Sequence, residues 1–297
     1  MTAEAPETTS NARHVPSPRE IPPGLHFVAT PIGAARDITL RALDLLAGAD
    51  VLAAEDTRSL RHLMEIHGVA LNDRPLVPYH EHNEAQALPR LMRALDDGKT
   101  VVYASEAGTP LISDPGFGLA RAAIAAGLPV LAAPGASAVL CALTVSGLPT
   151  DRFMFAGFPP SAKTARRTFL ADLTRVGATL ILYESPKRIR ETLNECVQCF
   201  GGERQAVVCR ELTKRFEEVS RGTLLELAAA FEDRDVKGEI VLLIDRGAVV
   251  QADQETVNAA LDRALQSMSV KDAAGAIADA YGLARRDVYQ LALSRTR

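Results

Sequence analysis

A chain of 297 residues, 47% hydrophobic and 24% charged, is globular and too long for one small core, which excludes a disordered or collagen-like chain. Its formal charge of −4 argues against a protein that coats nucleic acid non-specifically, because such binding needs many Lys and Arg contacts to phosphate. No apolar run reaches the roughly 18–20 residues of a membrane span; four cysteines are too few for a disulfide framework and point to a reducing compartment, the cytoplasm.

Residues 1–24 carry acids, Ser, Thr and five prolines with no apolar stretch behind a basic start, and read as a disordered leader rather than a secretory signal. From Leu25 short β-rich runs alternate with longer helical patterns, the signature of an α/β domain with a largely parallel sheet. Leu25 to Thr30 reads as a first strand ending in Pro31-Ile32-Gly33. Thr39 is placed to cap a helix whose apolar face is Leu40, Leu43, Leu46 and Ala47. Asp50 to Ala54 is a second strand running into Glu55-Asp56-Thr57-Arg58, followed by a helix that stops at Gly68. A short strand from Leu76 to Tyr79, a helix from Glu84 to Asp97 and a buried strand from Thr100 to Ala104 come next.

The segment from Ser105 to Gly116, SEAGTPLISDPG, is too polar and too rich in turn formers for helix or strand. A long loop directly after a buried strand lies where open α/β sheets bind ligands, at the carboxyl ends of the strands. Leu119 to Ala126 then reads as helix, Val130 to Ala132 as strand, and Pro134-Gly135-Ala136-Ser137-Ala138 as a loop opening a helix to Ser146. The first domain is expected over 25–147 and a second, α+β domain with a mixed sheet over 148–247. Its strands lie near Phe153 and over Thr179 to Tyr183, Ala206 to Glu211, Glu217 to Arg221 and Glu239 to Ile244. Residues 252–297 read as helix only: Ser269 caps a helix with Val270, Ala274 and Ile277 as its stripe, and Tyr281-Gly282 turns into Leu283 to Leu293, a helix-turn-helix spacing that also suits a plain helical cap.

The first strand is not followed by G-x-G-x-x-G, and neither G-x-x-x-x-G-K-[ST] nor G-x-S-x-G occurs, so dinucleotide, nucleoside triphosphate and hydrolase chemistries lose their usual support. His80 and His82 lack a third ligand at sensible spacing, as do Cys196 and Cys199, and no metal is expected. What remains is three Pro- and Gly-containing loops on strand ends. Residues 25–150 hold 9 basic and 13 acidic side chains, and residues 151–239 hold 15 and 14, so the second domain is the better platform for RNA.

At these loops the chain resembles a known family. LHFVATPIGAARDIT from Leu25, AAEDTR from Ala53, SEAGTPLISDPG from Ser105 and PGASA from Pro134 are similar to the ribosomal RNA small-subunit methyltransferase I family of the tetrapyrrole-methylase superfamily. The match continues with Ser146-Gly147-Leu148-Pro149, Tyr183-Glu184-Ser185-Pro186 and Arg210-Glu211-Leu212-Thr213-Lys214. The resemblance implies two α/β domains with S-adenosylmethionine in the cleft between them, a homodimer, and methyl transfer to the 2′-oxygen of a cytidine in the decoding region of 16S rRNA. Carried over residue by residue, the cofactor loops fall on Pro31, Ser105, Glu106, Ala107, Thr109, Ser137 and Ala138. Glu106 stands where the family usually has Asp, and Ala34 where Asn commonly follows the glycine.

A sulfonium methyl is already electrophilic, so alignment and exclusion of water supply much of the rate, and a base helps because a ribose hydroxyl is a weak acid. The ionisable candidates are Glu55, Asp56, Glu184, Glu211, Lys214 and Glu217, with Glu55, Asp56 and Lys214 taken as the catalytic set. Arg58, Arg166, Arg188, Arg210 and Lys214 are the expected RNA contacts, with Arg167 and Lys187 nearby. Each has a plainer reading: Asp56 and Arg58 as an ion pair and helix cap, Arg210, Glu211 and Lys214 as a structural cluster, the remaining cations as solvated helix faces. Two other functions compete, a tetrapyrrole C-methyltransferase and a non-catalytic nucleic-acid-binding regulator using the C-terminal helices.

Overall fold

The computed structural model describes residues 21–246, 254–281 and 283–295. Most of the leader, residues 1–20, lies outside them; Ile21 packs on the first core, and its carbonyl and that of Pro22 accept from Thr100 Oγ1 (3.3 and 3.4 Å), so the chain is anchored before residue 25. The first domain is a five-stranded, wholly parallel sheet of β1 (Gly24–Val28), β2 (Val51–Ala54), β3 (Leu76–Pro78), β4 (Thr100–Ala104) and β5 (Val130–Ala133) in the order β3-β2-β4-β1-β5. Parallel strands need crossovers that bury both faces, which is why β1, β2 and β4 are apolar or buried at every position.

Helices α1 (Leu40–Gly48) and α2 (Thr57–Ile66) cover one face with Leu43, Leu46, Leu60 and Met64. On the other, α3 (Glu84–Asp96) and α4 (Phe117–Ala125) bury Leu91, Leu95 and Leu119 against Tyr79 and Tyr103. Thr39 caps α1 by accepting from Ala42 N at 3.1 Å, as its position predicts. The buried stripe of α1 differs from the expected one by including Leu45 and leaving Leu40 exposed, because Leu40 sits on the first turn facing away from the sheet.

The second domain is a mixed sheet of β6 (Phe153–Gly157), β7 (Thr179–Glu184), β8 (Gln205–Arg210), β9 (Glu218–Thr223) and β10 (Ile240–Ile244), ordered β6-β7-β10-β8-β9. Only β6 and β7 run parallel; β10 is antiparallel to both β7 and β8. One face is covered by α6 (Lys163–Leu173), α7 (Ile189–Phe200) and α8 (Leu224–Phe231). The other receives α5 (Ala138–Ser146), whose Val139, Ala142 and Leu143 meet Ile181, Val207 and Leu243. The helix that closes the first domain in sequence is thus a wall of the second, and Arg221 of β9 fastens its end by donating to Val145 O and, at 3.2 Å, to Ser146 O.

The C-terminal helices α9 (Gln254–Leu265), α10 (Val270–Tyr281) and α11 (Arg285–Arg295) enclose a core of their own around Leu261, Ala274, Ile277 and Val288. Ser269 caps α10, accepting from Asp272 N at 3.2 Å. The expected architecture, a parallel-sheet domain, a mixed-sheet domain and a helix-turn-helix-like end, is what the chain forms. Among the described residues no helix is long and apolar enough to cross a membrane.

Candidate active site

Three loops meet at the carboxyl ends of β1, β4 and β5. Thr30 and Gly108 exchange both backbone hydrogen bonds (2.9 and 3.0 Å), Ser105 Oγ donates to Gly108 O at 2.5 Å, and Thr109 Oγ1 donates to Ala136 O at 3.0 Å. The 105–116 loop is therefore tied to both neighbours before it reaches its far end. There Leu111 and Ser113 hold left-handed backbones (φ 71° and 63°), each costing roughly 1–2 kcal/mol for a side chain that prefers the other hand.

Between these loops and the second domain lies a cleft of about 470 Å³, inside the range of roughly 300–1,000 Å³ usual for small-ligand sites. Glu106, Ala107, Thr109, Ser137 and Ala138 line it, together with Ile112, Ser113 and Asp114. Across from them stand Phe158, Tyr183 to Pro186 and Gly238 to Val241. Tyr183 packs edge-on to Phe155 and Phe158 (centroids 4.8 and 5.5 Å apart), forming an aromatic wall. Gly238 has φ 92°, and a Cβ there would fall 2.4 Å from the Glu211 carboxylate.

Of the expected cofactor residues, Pro31 and Ser105 do not line the cleft. Ser105 is 2% exposed and spends its hydroxyl on the loop's own backbone, so it shapes the site from behind. Ser137 caps α5, whose first turn opens on the cleft.

The expected catalytic set separates. Asp56 caps α2, accepting from Arg58 N at 2.8 Å and pairing with the Arg58 guanidinium, which holds its carboxyl down at about 2. Lys214 is bonded to Glu211 (3.0 Å) and Glu239 (2.9 Å); burial works to lower its pKa, but these carboxylates outweigh it and keep the ammonium charged. Neither is suited to accept a proton, and neither lines the cleft. Glu55 also stands outside the lining, with its carboxyl raised by burial and then by the negative charge of Glu106.

Glu184 lines the cleft with a side chain fully shielded from solvent, held by Arg188 Nη2 (2.7 Å), Thr192 Oγ1 (2.5 Å) and its neighbour's N–H, Ser185 N (2.7 Å). Asp114, which the sequence reading passed over, lies in the same cleft. Burial first, then the like charges of Glu55 and Glu106, push it up to about 7.

The expected RNA contacts fare unevenly. Arg166 is 1% exposed, donating to Ser161 O (2.9 Å) and Glu191 (2.8 Å), and is a buried brace with no face for a phosphate. Arg188 holds Glu184. Arg210 pairs with Glu218 at 3.0 Å, and the Glu218 carboxyl, held chiefly by Arg234 and also by Arg210, is down at about 2. Arg58 is exposed but occupied by Asp56, and Arg167 pairs with Glu195 at 2.9 Å. Lys187, next to the lining residue Pro186, is exposed and has no ion-pair partner among the described residues. His80 and His82 lie with ring centroids 6.1 Å apart, and no group of three or more His, Cys, Asp or Glu among the described residues is arranged to hold a metal.

The family model of the Tetrapyrrole (Corrin/Porphyrin) Methylases matches residues 24–228, and that of the RsmI C-terminal HTH domain matches residues 251–296. The chain is 48% identical to the ribosomal RNA small subunit methyltransferase I of Mesorhizobium japonicum, over 85% of this chain and 84% of that one. It is 41% identical to the protein of the same name from Pseudomonas aeruginosa, over 91% and 97%. Among solved structures, a cobalt precorrin-4 methyltransferase (TM-score 0.56, 18% identity) covers 74% of this chain and 94% of its own. A Thermus thermophilus uroporphyrin-III C-methyltransferase complexed with S-adenosyl homocysteine (TM-score 0.52, 20% identity) covers 75% and 97%. At these identities the solved structures speak for the fold.

Proposed function

Because the chain belongs to the tetrapyrrole methylase family, and within it to the ribosomal RNA small-subunit methyltransferases I, we propose that it methylates the 2′-hydroxyl of a cytidine in the decoding region of 16S rRNA (cytidine 1402). It is an S-adenosylmethionine-dependent methyltransferase. The observation that carries the substrate assignment is identity of 39–48% to rRNA methyltransferases over most of the chain, including the C-terminal helical domain they share. The tetrapyrrole enzymes share the fold at only 18–20%.

The cleft fits the cofactor in size and chemistry. Ala107, Gly108 and Ala138 leave room for backbone approach, Glu106 supplies a carboxylate for a polar contact, and the first turn of α5 offers N–H donors. When bound, S-adenosylmethionine supplies an activated methyl group. The protein's own tasks are to hold the ribose oxygen in line and to keep water out, for which the aromatic wall of Phe158 and Tyr183 is placed. Lys187 beside the cleft holds the RNA backbone through a phosphate. The enzyme works in the cytoplasm as a homodimer.

The test is methyl transfer from labelled S-adenosylmethionine to naked 16S rRNA, to small ribosomal subunits and to uroporphyrinogen III, followed by nuclease digestion and mass mapping. Formation of 2′-O-methylcytidine at the one position is expected; methyl on the tetrapyrrole alone, or on no RNA, rejects the assignment.

A further inference from the structure

The C-terminal helices hold a second concavity. A groove of about 690 Å³ runs between α10 and α11, and none of the residues lining it lines the cleft. It carries three cations, Lys271, Arg285 and Arg286, against two carboxylates, Asp272 and Asp279. Both carboxylates are engaged: Asp279 takes the Arg285 guanidinium at 2.7 Å, and Asp272 accepts from the Ser269 hydroxyl at 2.7 Å as part of the α10 cap. The Lys271 and Arg286 side chains are exposed and have no hydrogen bond or ion pair among the described residues.

Two further features set the groove apart from an ordinary solvated face. Tyr289 lines it while remaining 39% exposed, one turn of α11 beyond Arg286. Gly275 sits in the interior of α10, where glycine is unfavourable, and packing does not ask for it: a Cβ there would meet nothing within 4 Å. What the glycine does is keep the floor of the groove open.

The chemistry selects the occupant. Free cations along a groove bind phosphate, and an exposed aromatic face beside them takes a planar base, the pairing that a single nucleic-acid strand offers. A duplex needs many more phosphate contacts, whereas residues 252–297 hold six basic side chains against six acidic ones, and Arg285 and Arg295 are committed to Asp279 and Asp262. Resting on the RNA methyltransferase reading above, we propose that the α10–α11 groove holds a single-stranded segment of 16S rRNA, with Lys271 and Arg286 on phosphates and Tyr289 stacked on a base. The substrate is then gripped at a place separate from the reacting ribose.

The test uses the full chain carrying Lys271→Ala with Arg286→Ala, Tyr289→Ala, Tyr289→Phe or Gly275→Leu, with Arg263→Ala as a control that removes a charge from α9 outside the groove. The measurements are affinity for naked 16S rRNA at several salt concentrations, calorimetric affinity for S-adenosylhomocysteine, thermal unfolding, and kcat and KM for methyl transfer to small ribosomal subunits. The double variant should bind rRNA roughly tenfold or more weakly, with the slope of log affinity against log salt reduced by about 1.4, from two contacts at about 0.7 each. Tyr289→Ala should weaken binding about tenfold with the slope unchanged, and Tyr289→Phe should restore it because the ring is kept. Gly275→Leu should fill the groove, losing RNA affinity while unfolding at the same temperature or higher. In all but Tyr289→Phe and the control the KM for the subunit should rise, while kcat stays within about twofold and S-adenosylhomocysteine affinity is unchanged. Groove variants that bind rRNA as the unmodified protein does overturn the proposal, as does an Arg263→Ala slope that falls as far per charge removed. Unchanged affinity for naked rRNA together with reduced transfer to subunits would put a protein component of the subunit in the groove and also overturns it. An unmodified protein that binds S-adenosylhomocysteine but neither binds nor methylates rRNA rejects the RNA reading, and this assignment falls with it; an active one that ignores every groove variant rejects the groove alone.

Discussion

Ala34 of the first domain donates its backbone N–H to Thr213 Oγ1 of the second at 3.1 Å, joining the loop after β1 to the loop after β8. Thr213 reaches that position with φ 63°, two residues after Glu211 at φ 51°. Two left-handed residues with side chains in one short loop cost free energy that the contact across the domains helps to offset.

This contact predicts the effect of a single methyl. A Cβ at Gly33 would lie 2.5 Å from Lys214 Cγ, 2.7 Å from Thr213 Oγ1 and 3.1 Å from Leu212 O. Gly33→Ala should destabilise the protein by about 1–3 kcal/mol in denaturant unfolding and weaken cofactor binding, since overpacking moves the loop that borders the cleft. Thr213→Ala should cost only about 1 kcal/mol, the worth of one hydrogen bond. A Gly33→Ala variant as stable as the unmodified protein would show that the two loops yield freely.

A second prediction concerns Glu184, whose side chain is completely shielded while Arg188 is 24% exposed. Arg188→Ala should lower stability by about 3–5 kcal/mol, because it strands a buried carboxylate, and replacing Glu184 by Gln in the same chain should recover much of that loss. Chemical denaturation of the two single variants and the double variant measures it; a loss in the double variant equal to the sum of the two single losses would mean that the pair is uncoupled.

Acid stability provides the third. Arg234 first, with Arg210, holds Glu218 at about 2 against an ordinary 4.5. A depressed folded pKa gives stability that is present above the unfolded value and lost as pH falls through the folded one, so this contribution should fade between pH 4.5 and about 2. Glu218→Gln should flatten the thermal-unfolding curve across that window and leave its shape above pH 6 unchanged.

Lys187 supplies the fourth. Its replacement by Ala should weaken RNA binding and reduce the slope of log affinity against log salt by about one, with cofactor affinity and folding unchanged. Arg166→Ala should instead lower stability with no such change in slope. Fluorescence titration at several salt concentrations separates the two.

The fold was legible because its pattern is local. Thr39 and Ser269 announce helix starts, and the apolar strands β1, β2 and β4 carry the parallel sheet on their face. The loops that line the cleft were equally plain, since Pro and Gly after buried strands mark ligand-binding ends. The roles of single charges were not. Arg166 and Arg167 are neighbours in a basic helical stretch, yet one is buried against Ser161 O and Glu191 and the other lies on the surface, a difference set by where α6 meets α7. Asp114 sits in the loop motif SEAGTPLISDPG, but its raised carboxyl follows from burial first and then from the like charges of Glu55, which arrives from fifty-nine residues earlier, and Glu106. Pairing of Lys214 with Glu239, twenty-five residues on, likewise follows from β10 lying beside β8.

The position of β10 has a further consequence. It is the last strand of the second sheet to leave the ribosome but lies at its centre, between β7 and β8, and the residues just before it complete the cleft wall at Gly238 and Glu239. Until it emerges, β7 and β8 have no common neighbour and present open edges to the surrounding solution. A chain growing from its N-terminus should therefore fold its parallel sheet early and remain unable to bind ligand for about another hundred residues. Competence to bind in the cleft would then arrive in one step, so a nascent chain halted before Ile240 is a candidate for chaperones and one extended past Ile244 has its cleft wall complete.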